Sequence, residues 1–377
     1  MVHTNIPVQV GVPGVLAVSR MPREDEVDSI ASTFRCVVAL AEECELSYDL
    51  GDLARAGIRV LHKPVADLGA PNIIDLHEVV DFIAECREST LVHCYGGRGR
   101  SGVVAVAYLM YSGGLGYGEA LAKAREVDPG LVETEAQHRA LRLYGRVLRA
   151  TPPRLLSKAI EVGRSVCATE GREFGHGVGH ASKVLELSAE LTEGLEGTGL
   201  VRLSPDVERA TYVAAVLHDV GVCRLAPGEP DDRHRERSYE VMVEHGEELD
   251  RACGCRVAER AALLARLHGG EDPVPEGADA ETVLALGILR VADGLDYALD
   301  QSVERLRVEL REGRVEVVVS CDERRASCRV DVRRANEKKR LLEAALGVPV
   351  AVVLEPGGSR GPRSWGGLVN RGRSLLG

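Results

Sequence analysis

The run Thr90-Leu-Val-His-Cys94 has strand length and apolar character, and it empties through Tyr-Gly-Gly-Arg-Gly-Arg into Ser101 to Tyr111, a nearly all-apolar helical stretch. A helix without a polar face has to be buried. A strand that delivers into such a helix through a glycine-rich turn is a unit of an α/β sheet with helices on its faces. Three short β-rich runs precede it, Val15 to Val18, Val37 to Leu40 and Val60 to Lys63, so residues 1–150 read as an α/β domain, a central sheet flanked by helices. Aromatic residues are only 3% of the 377 while the apolar set is 45%, so the cores must be built from Val, Leu and Ala.

At Thr151-Pro152-Pro153 a helix cannot continue. Beyond it the period is helical, with segments predicted at 155–169, 178–195, 206–223, 234–251, 256–268 and 280–298, which makes 151–300 an all-α domain. From 301 the pattern changes. Val303 to Leu310, Arg314 to Ser320, Ser327 to Val332 and 348–354 read as strands and 334–346 as a charged helix, a small α+β extension over 301–355. Residues 356–377, rich in Gly, Ser and Arg, read as a disordered tail.

A net charge of −11 argues against a broad nucleic-acid surface. No apolar run is long enough to cross a bilayer and no basic-then-apolar leader opens the chain, so a cytoplasmic protein with neither nucleic-acid nor membrane partners is expected. The ten cysteines lack zinc-ribbon spacing, and Cys253 and Cys255 form a lone C-x-C. They are expected as buried thiols, or as disulfides if the source is a hyperthermophile.

The loop after the Thr90 strand solves one chemical problem, the holding of a phosphate dianion beside a thiolate. Five residues separate Cys94 from Arg100. Tyr95, Gly96, Gly97, Arg98 and Gly99 between them let successive backbone N–H groups turn inward as a nest, and the helix beginning at Ser101 aims its positive end at the same point. That field favours the anionic sulfur. The Arg100 fork can grip two phosphate oxygens at once. The segment His93-Cys94-x5-Arg100-Ser101 resembles the H-C-x5-R-[S/T] signature of the protein tyrosine and dual-specificity phosphatases, a resemblance covering most of 8–148. It implies a phosphocysteine intermediate on Cys94, substrate binding by Arg100, stabilisation of the leaving thiolate by Ser101 and a supporting role for His93, with no metal required. Asp67, in Pro64-Val-Ala-Asp-Leu-Gly-Ala-Pro71, resembles the general acid of compact archaeal-type members, with Asp75 as the alternative. Pro129, Glu133 and Gln137 resemble the family's final segment, where a Gln orients water, although Gln137 is equally readable as a helix-surface amide. Arg98 adds a charge at a place where phosphoinositide phosphatases of the superfamily carry a basic residue, so the substrate is expected to be a phosphoprotein or a small phosphorylated molecule.

In the second half His180, the pair His218-Asp219 at a helix end and Asp293 are a poor choice for a core and a good one for a divalent cation. They match the H…HD…D pattern of HD-superfamily phosphohydrolases, and 154–354 resembles the C-terminal region of exopolyphosphatase/pentaphosphate phosphohydrolases. The resemblance implies bound Mn, Fe, Ni, Zn or Mg, a second hydrolase or a regulatory module, nucleotide, guanosine polyphosphate, polyphosphate or inositol phosphate as alternative substrates, and a homodimer. His268 is a further candidate ligand and His176 a rival to His180. Two-metal members place a His just before the position of Ser238, where this chain has Arg237. A mononuclear site is therefore expected, with His234 or His245 as substitutes for the missing His and the surface as the favoured place for both.

Overall fold

The computed structural model describes residues 8–9, 16–172, 174, 178–270, 272–322 and 325–355. His176 and the tail at 356–377 lie outside them. Strands β1 (Val8–Gln9), β2 (Leu16–Ser19), β3 (Cys36–Ala39), β4 (Arg59–His62) and β5 (Thr90–His93) form one sheet in the order β1-β2-β5-β3-β4. All pairings are parallel except β1 with β2 at the edge.

Side chains alternate across a strand, and two cores result. Ala17, Val37 and Leu91 face one, closed by helices α1 (Val27–Thr33) and α2 (Leu50–Arg55). Val18, Val38 and Val92 face the other, under α3 (Ile73–Cys86) and α4 (Arg100–Gly113). Coverage of both faces explains why β2, β3 and β5 are buried at every position. Helices α5 (Tyr117–Arg125) and α6 (Glu135–Ala150) complete this part.

A helical array follows: α7 (Pro153–Thr169), α8 (Val178–Gly197), α9 (Pro205–Leu217), α10 (His234–Glu244), α11 (Gly246–Cys253), α12 (Ala258–Arg266) and α13 (Ala280–Gly294). Then come β6 (Val303–Arg311), β7 (Arg314–Cys321), α14 (Cys328–Lys338), α15 (Arg340–Leu346) and β8 (Val350–Leu354), the strands pairing as β6-β7-β8.

Ser327 to Val332 is not the strand expected of it. Cys328, Val330 and Val332 suggest a period of two, but Cys328, Asp331 and Ala335 fall on one helical face and all three are buried. The helix is selected from outside: a Cβ on Gly294 of α13 would lie 2.9 Å from the Cα of Ala335, so the two helices touch at backbone distance. Asp331 then accepts from the Ser302 hydroxyl at 2.5 Å and the Ala298 N–H at 2.9 Å. The expected 206–223 helix stops at Leu217 and the 234–251 helix divides at His245.

The two halves are bonded through charged and buried groups. Arg146 of α6 donates to the Tyr212 hydroxyl at 3.0 Å and pairs with Glu196 at 2.9 Å and Glu208 at 2.8 Å. Arg139 pairs with Glu190 at 2.5 Å, and His77 of α3 bonds Ser157 of α7 at 3.0 Å. The larger core runs without interruption from α3 and α4 into α7, α8 and α9. Eight cysteines pair as Cys36–Cys86, Cys167–Cys223, Cys253–Cys255 and Cys321–Cys328, leaving Cys44 and Cys94 as thiols. Among the described residues no helix is long and apolar enough to cross a membrane.

Candidate active site and a second polar cluster

Cys94 sits at the carboxyl end of β5, between β2 and β3, where ligands of open α/β sheets bind. It is 2% exposed, and the Gly97 N–H donates to its Sγ at 3.2 Å. That turn requires glycine: Gly97 has φ +82°, and a Cβ there would lie 2.6 Å from the carbonyl carbon of Ser19. Arg100 opens α4, and its guanidinium returns to the pocket floor, where it is 2% exposed. The pocket, about 210 Å³, is lined by Cys94, Tyr95, Gly96, Gly99, Arg100, Asp67, Leu68, Glu133 and Gln137.

The Arg100 fork is held before any substrate arrives. Its Nη1 and Nη2 donate to Glu45 at 2.6 and 2.8 Å, Nη1 also donates to the Val65 carbonyl at 2.8 Å, and Nη2 reaches Asp67 at 3.1 Å. The guanidinium in turn holds the Glu45 carboxyl below the usual carboxylate range. Nothing local to Glu42-Glu-Cys-Glu45 announces this role, because its partner lies 55 residues away.

Asp67 reaches the pocket and Asp75 does not. Asp75 sits in the first turn of α3, bonded to Lys63 at 2.6 Å and to the Asn72 amide at 2.6 Å. Gln137 is fully buried rather than a surface amide, and its Nε2 donates to the Gly69 carbonyl at 2.9 Å. Ser101 is buried with its hydroxyl unpaired among the described residues. Burial pushes the His93 imidazole down to about 4, so it is neutral at pH 7. Tyr48, whose phenol burial keeps protonated, shares a hydrogen bond with its Nε2 at 2.7 Å. Arg98 is the exception in the loop: its side chain turns to Asp128 at 3.0 Å and does not line the pocket.

Against known proteins, residues 24–147 match the family model "Dual specificity phosphatase, catalytic domain". Residues 24–147 are a dual specificity phosphatase catalytic domain. The chain is 35% identical over 115 residues to cyclin-dependent kinase inhibitor 3 of Rattus norvegicus, covering 29% of this chain and 52% of that protein. The Homo sapiens protein of that name is 34% identical over 101 residues, 26% of this chain and 48% of that one. The chain thus spans about half the length of these curated relatives. Among solved structures, Tk-PTP in its active form is 41% identical, covering 38% of this chain and 97% of that chain with a TM-score of 0.36. PTPMT1 in complex with PI(5)P is 21% identical over 36% of this chain and 93% of that chain, with a TM-score of 0.35.

Outside the phosphatase domain the array gathers four imidazoles around two carboxylates. His180 Nε2 lies 3.2 Å from His218 Nε2, 3.5 Å from Asp219 Oδ2 and 3.6 Å from Asp293 Oδ1. On the other side of the same aspartate, Asp219 Oδ1 lies 3.3 Å from His234 Nε2 and 3.4 Å from His268 Nε2. Hence His234 is not a surface residue, and the ligand atoms fall into three overlapping groups, His180-His218-Asp219, His218-His268-Asp293 and Asp219-His234-His268, where a single site was expected. His245 stays apart, at the α10–α11 junction beside Glu248. Ser238 accepts from the Gly221 N–H at 2.9 Å and so holds the turn after His218-Asp219.

The ring tautomers follow from the outward bonds. His180 Nδ1 faces Asp296 at 2.9 Å, His218 Nδ1 the Ala215 carbonyl at 2.9 Å and His268 Nδ1 the Ala265 carbonyl at 2.6 Å, while His234 Nδ1 faces the Asp231 carbonyl. Carbonyl oxygens only accept, so the ring protons facing them sit on Nδ1 and the Nε2 lone pairs converge. Lone pairs facing one another and two carboxylates repel unless a cation lies between them, and this is the arrangement that outer bonds impose on metal-binding imidazoles. With no ion between them protons relieve the same repulsion: against its burial, the Asp219, Asp293 and Asp296 carboxylates raise the His180 imidazole well above its ordinary range, and imidazoles protonated in this way, with Lys338 beside Asp293, hold the buried Asp219 and Asp293 carboxyls well below theirs. The donor set fits a divalent ion of the Mn, Fe, Ni or Zn type.

Proposed function

We propose that the chain is a phosphoprotein phosphatase working through a phosphocysteine on Cys94. The observation that carries this reading is the meeting of Cys94, Arg100 and Asp67 in one pocket of about 210 Å³ at the end of β5. The Cys94 thiolate attacks phosphorus in line with the ester oxygen, and an S–P bond forms as the P–O bond breaks. Asp67 gives its proton to the departing oxygen, a contribution of ~10²–10⁴ in rate. Arg100, aimed by Glu45, and the loop N–H groups hold the equatorial oxygens. Water then attacks phosphorus, Asp67 takes its proton, and inorganic phosphate leaves as the thiolate is released beside the Ser101 hydroxyl. The pairing of Arg98 with Asp128 supports a phosphomonoester on a protein over a polyphosphorylated small molecule, because it removes a second cation from the pocket.

The test is turnover of an aryl phosphate and a phosphopeptide in excess EDTA. Undiminished turnover, lost in Cys94→Ser, is expected; turnover that disappears with chelator and returns with Mn²⁺ would overturn the reading.

The second cluster supports a metal-binding HD domain over about 151–300, regulatory or a second phosphohydrolase. His180, His218, Asp219 and Asp293 would hold one ion, and His234 and His268, with the other oxygen of Asp219, a second. A bound ion there supplies Lewis acidity and an acidified water. The chain's own residues orient the ligands through Asp296 and the three backbone carbonyls. Metal analysis of the purified protein checks this: Asp219→Ala is expected to lose all bound metal and His234→Ala only part. Equal metal content in the wild type and Asp219→Ala would refute it.

A further inference from the structure

The Asp67 loop is held from both halves of the molecule. On the phosphatase side the Val65 carbonyl accepts from Arg100 at 2.8 Å, the Leu68 carbonyl from the Thr134 hydroxyl at 3.0 Å and the Gly69 carbonyl from Gln137 at 2.9 Å. Its far end runs directly into α3, whose first N–H groups have no partner within the helix. Asn72 accepts the third of them, from Asp75, at 2.9 Å. The first two are taken by α8: Ile73 N–H by the Glu186 carboxylate at 3.4 Å and Ile74 N–H by the Ser182 hydroxyl at 3.2 Å. Both side chains are buried, at 8% and 0% exposure, more than 100 residues along the chain from the groups they cap.

The loop needs this anchorage. Leu68, next to Asp67, has φ +62°, a left-handed conformation that costs a non-glycine residue energy and persists only where the surroundings enforce it. The loop borders an open cleft of about 600 Å³, lined by Pro64, Val65, Ala66 and Pro71 and by Gly179 and Lys183 of α8. On the cleft side the caps at α3 therefore add a tether to the loop's far end that the three carbonyl bonds from the phosphatase half do not supply.

We propose that Ser182 and Glu186 are positioning residues for the phosphatase reaction: through α3 they set where Asp67 stands, so the acid-dependent step of one half is governed by a helix of the other. That helix carries His180 in its first turn, so the loop's tether and the polar cluster share one rigid element. The proposal rests on the reading of Asp67 as the general acid.

The experiment compares Ser182→Ala, Glu186→Gln and Asp67→Asn in the full chain on two substrates, phenyl phosphate, whose leaving group needs a proton, and 2,4-dinitrophenyl phosphate, whose leaving group does not. Asp67→Asn should lose about 100-fold in kcat/KM on the first and little in kcat/KM on the second, because kcat/KM covers the steps up to release of the phenol and not the later attack of water on the phosphocysteine. Ser182→Ala and Glu186→Gln should show the same selectivity in milder form, about 10-fold in kcat/KM on phenyl phosphate, with the dinitrophenyl kcat/KM within about twofold and restoration in Ser182→Thr. Equal losses on both substrates, or none, while Asp67→Asn remains selective, would overturn the positioning role alone. Absence of selectivity in Asp67→Asn would overturn the acid assignment, and the proposal with it. Dinitrophenyl turnover also reports folding, since an unfolded variant loses both activities.

Discussion

Replacing Glu45 with alanine removes the carboxylate that holds Arg100, and the structure indicates how much depends on it. The guanidinium is 2% exposed, the Glu45 side chain 17% exposed, and two bonds of 2.6 and 2.8 Å join them. Breaking a buried pair by removing one partner costs about 3–5 kcal/mol because the other charge stays behind. Here the Val65 carbonyl and Asp67 remain as partners for Arg100, so the lower end, about 3 kcal/mol, is expected. Activity should fall further than stability alone explains, since a fork free to turn toward Asp67 no longer faces the phosphate. A loss of 10- to 100-fold in kcat/KM corresponds to about 1.4–2.8 kcal/mol. Urea unfolding gives the first quantity and aryl phosphate kinetics well below the unfolding midpoint give the second. Wild-type kcat/KM in a Glu45→Ala protein of reduced stability would show that the pair is structural only and refute the argument.

His93 makes stability depend on pH. Its folded value of about 4 lies below the ordinary value near 6.5, so between those limits the unfolded chain binds a proton that the folded chain refuses. The stability it contributes is present above pH 6.5 and disappears as pH falls toward 4, about 3 kcal/mol in all. Urea titrations at pH 7 and pH 5 should show wild type losing about 2 kcal/mol more than His93→Gln; parallel losses would contradict this. Arg146→Ala should lower unfolding free energy by about 3 kcal/mol, since it leaves Glu208 and Glu196 facing each other with Tyr212 buried beside them. An unchanged unfolding midpoint would mean that this junction does not hold the halves together.

The Cys94 loop was legible because its chemistry is contiguous. Strand, nest and helix N-terminus follow within Thr90 to Gly113, so composition alone specifies what each residue has to do. The short β-rich runs ahead of it likewise announced an α/β domain with a central sheet flanked by helices. The stretch at Ser327 to Val332 misled because two periods fit a short apolar series, and the contact that decides between them is with Gly294, outside the stretch.

What the sequence by itself determined, then, is the candidate nucleophile, its arginine, the candidate acid and the His180, His218, Asp219, Asp293 and His268 members of the polar cluster, since each is specified by residue type and near neighbours. Only the tertiary structure decided that Glu45 aims Arg100, that Arg98 turns away to Asp128, that His234 shares Asp219 with His268, and that Ser182 and Glu186 cap α3. Each of these is a pairing of polar groups distant in the chain, fixed by which helices pack together. No local pattern encodes it, because a buried hydrogen bond depends on the position of its partner and not on its own neighbours.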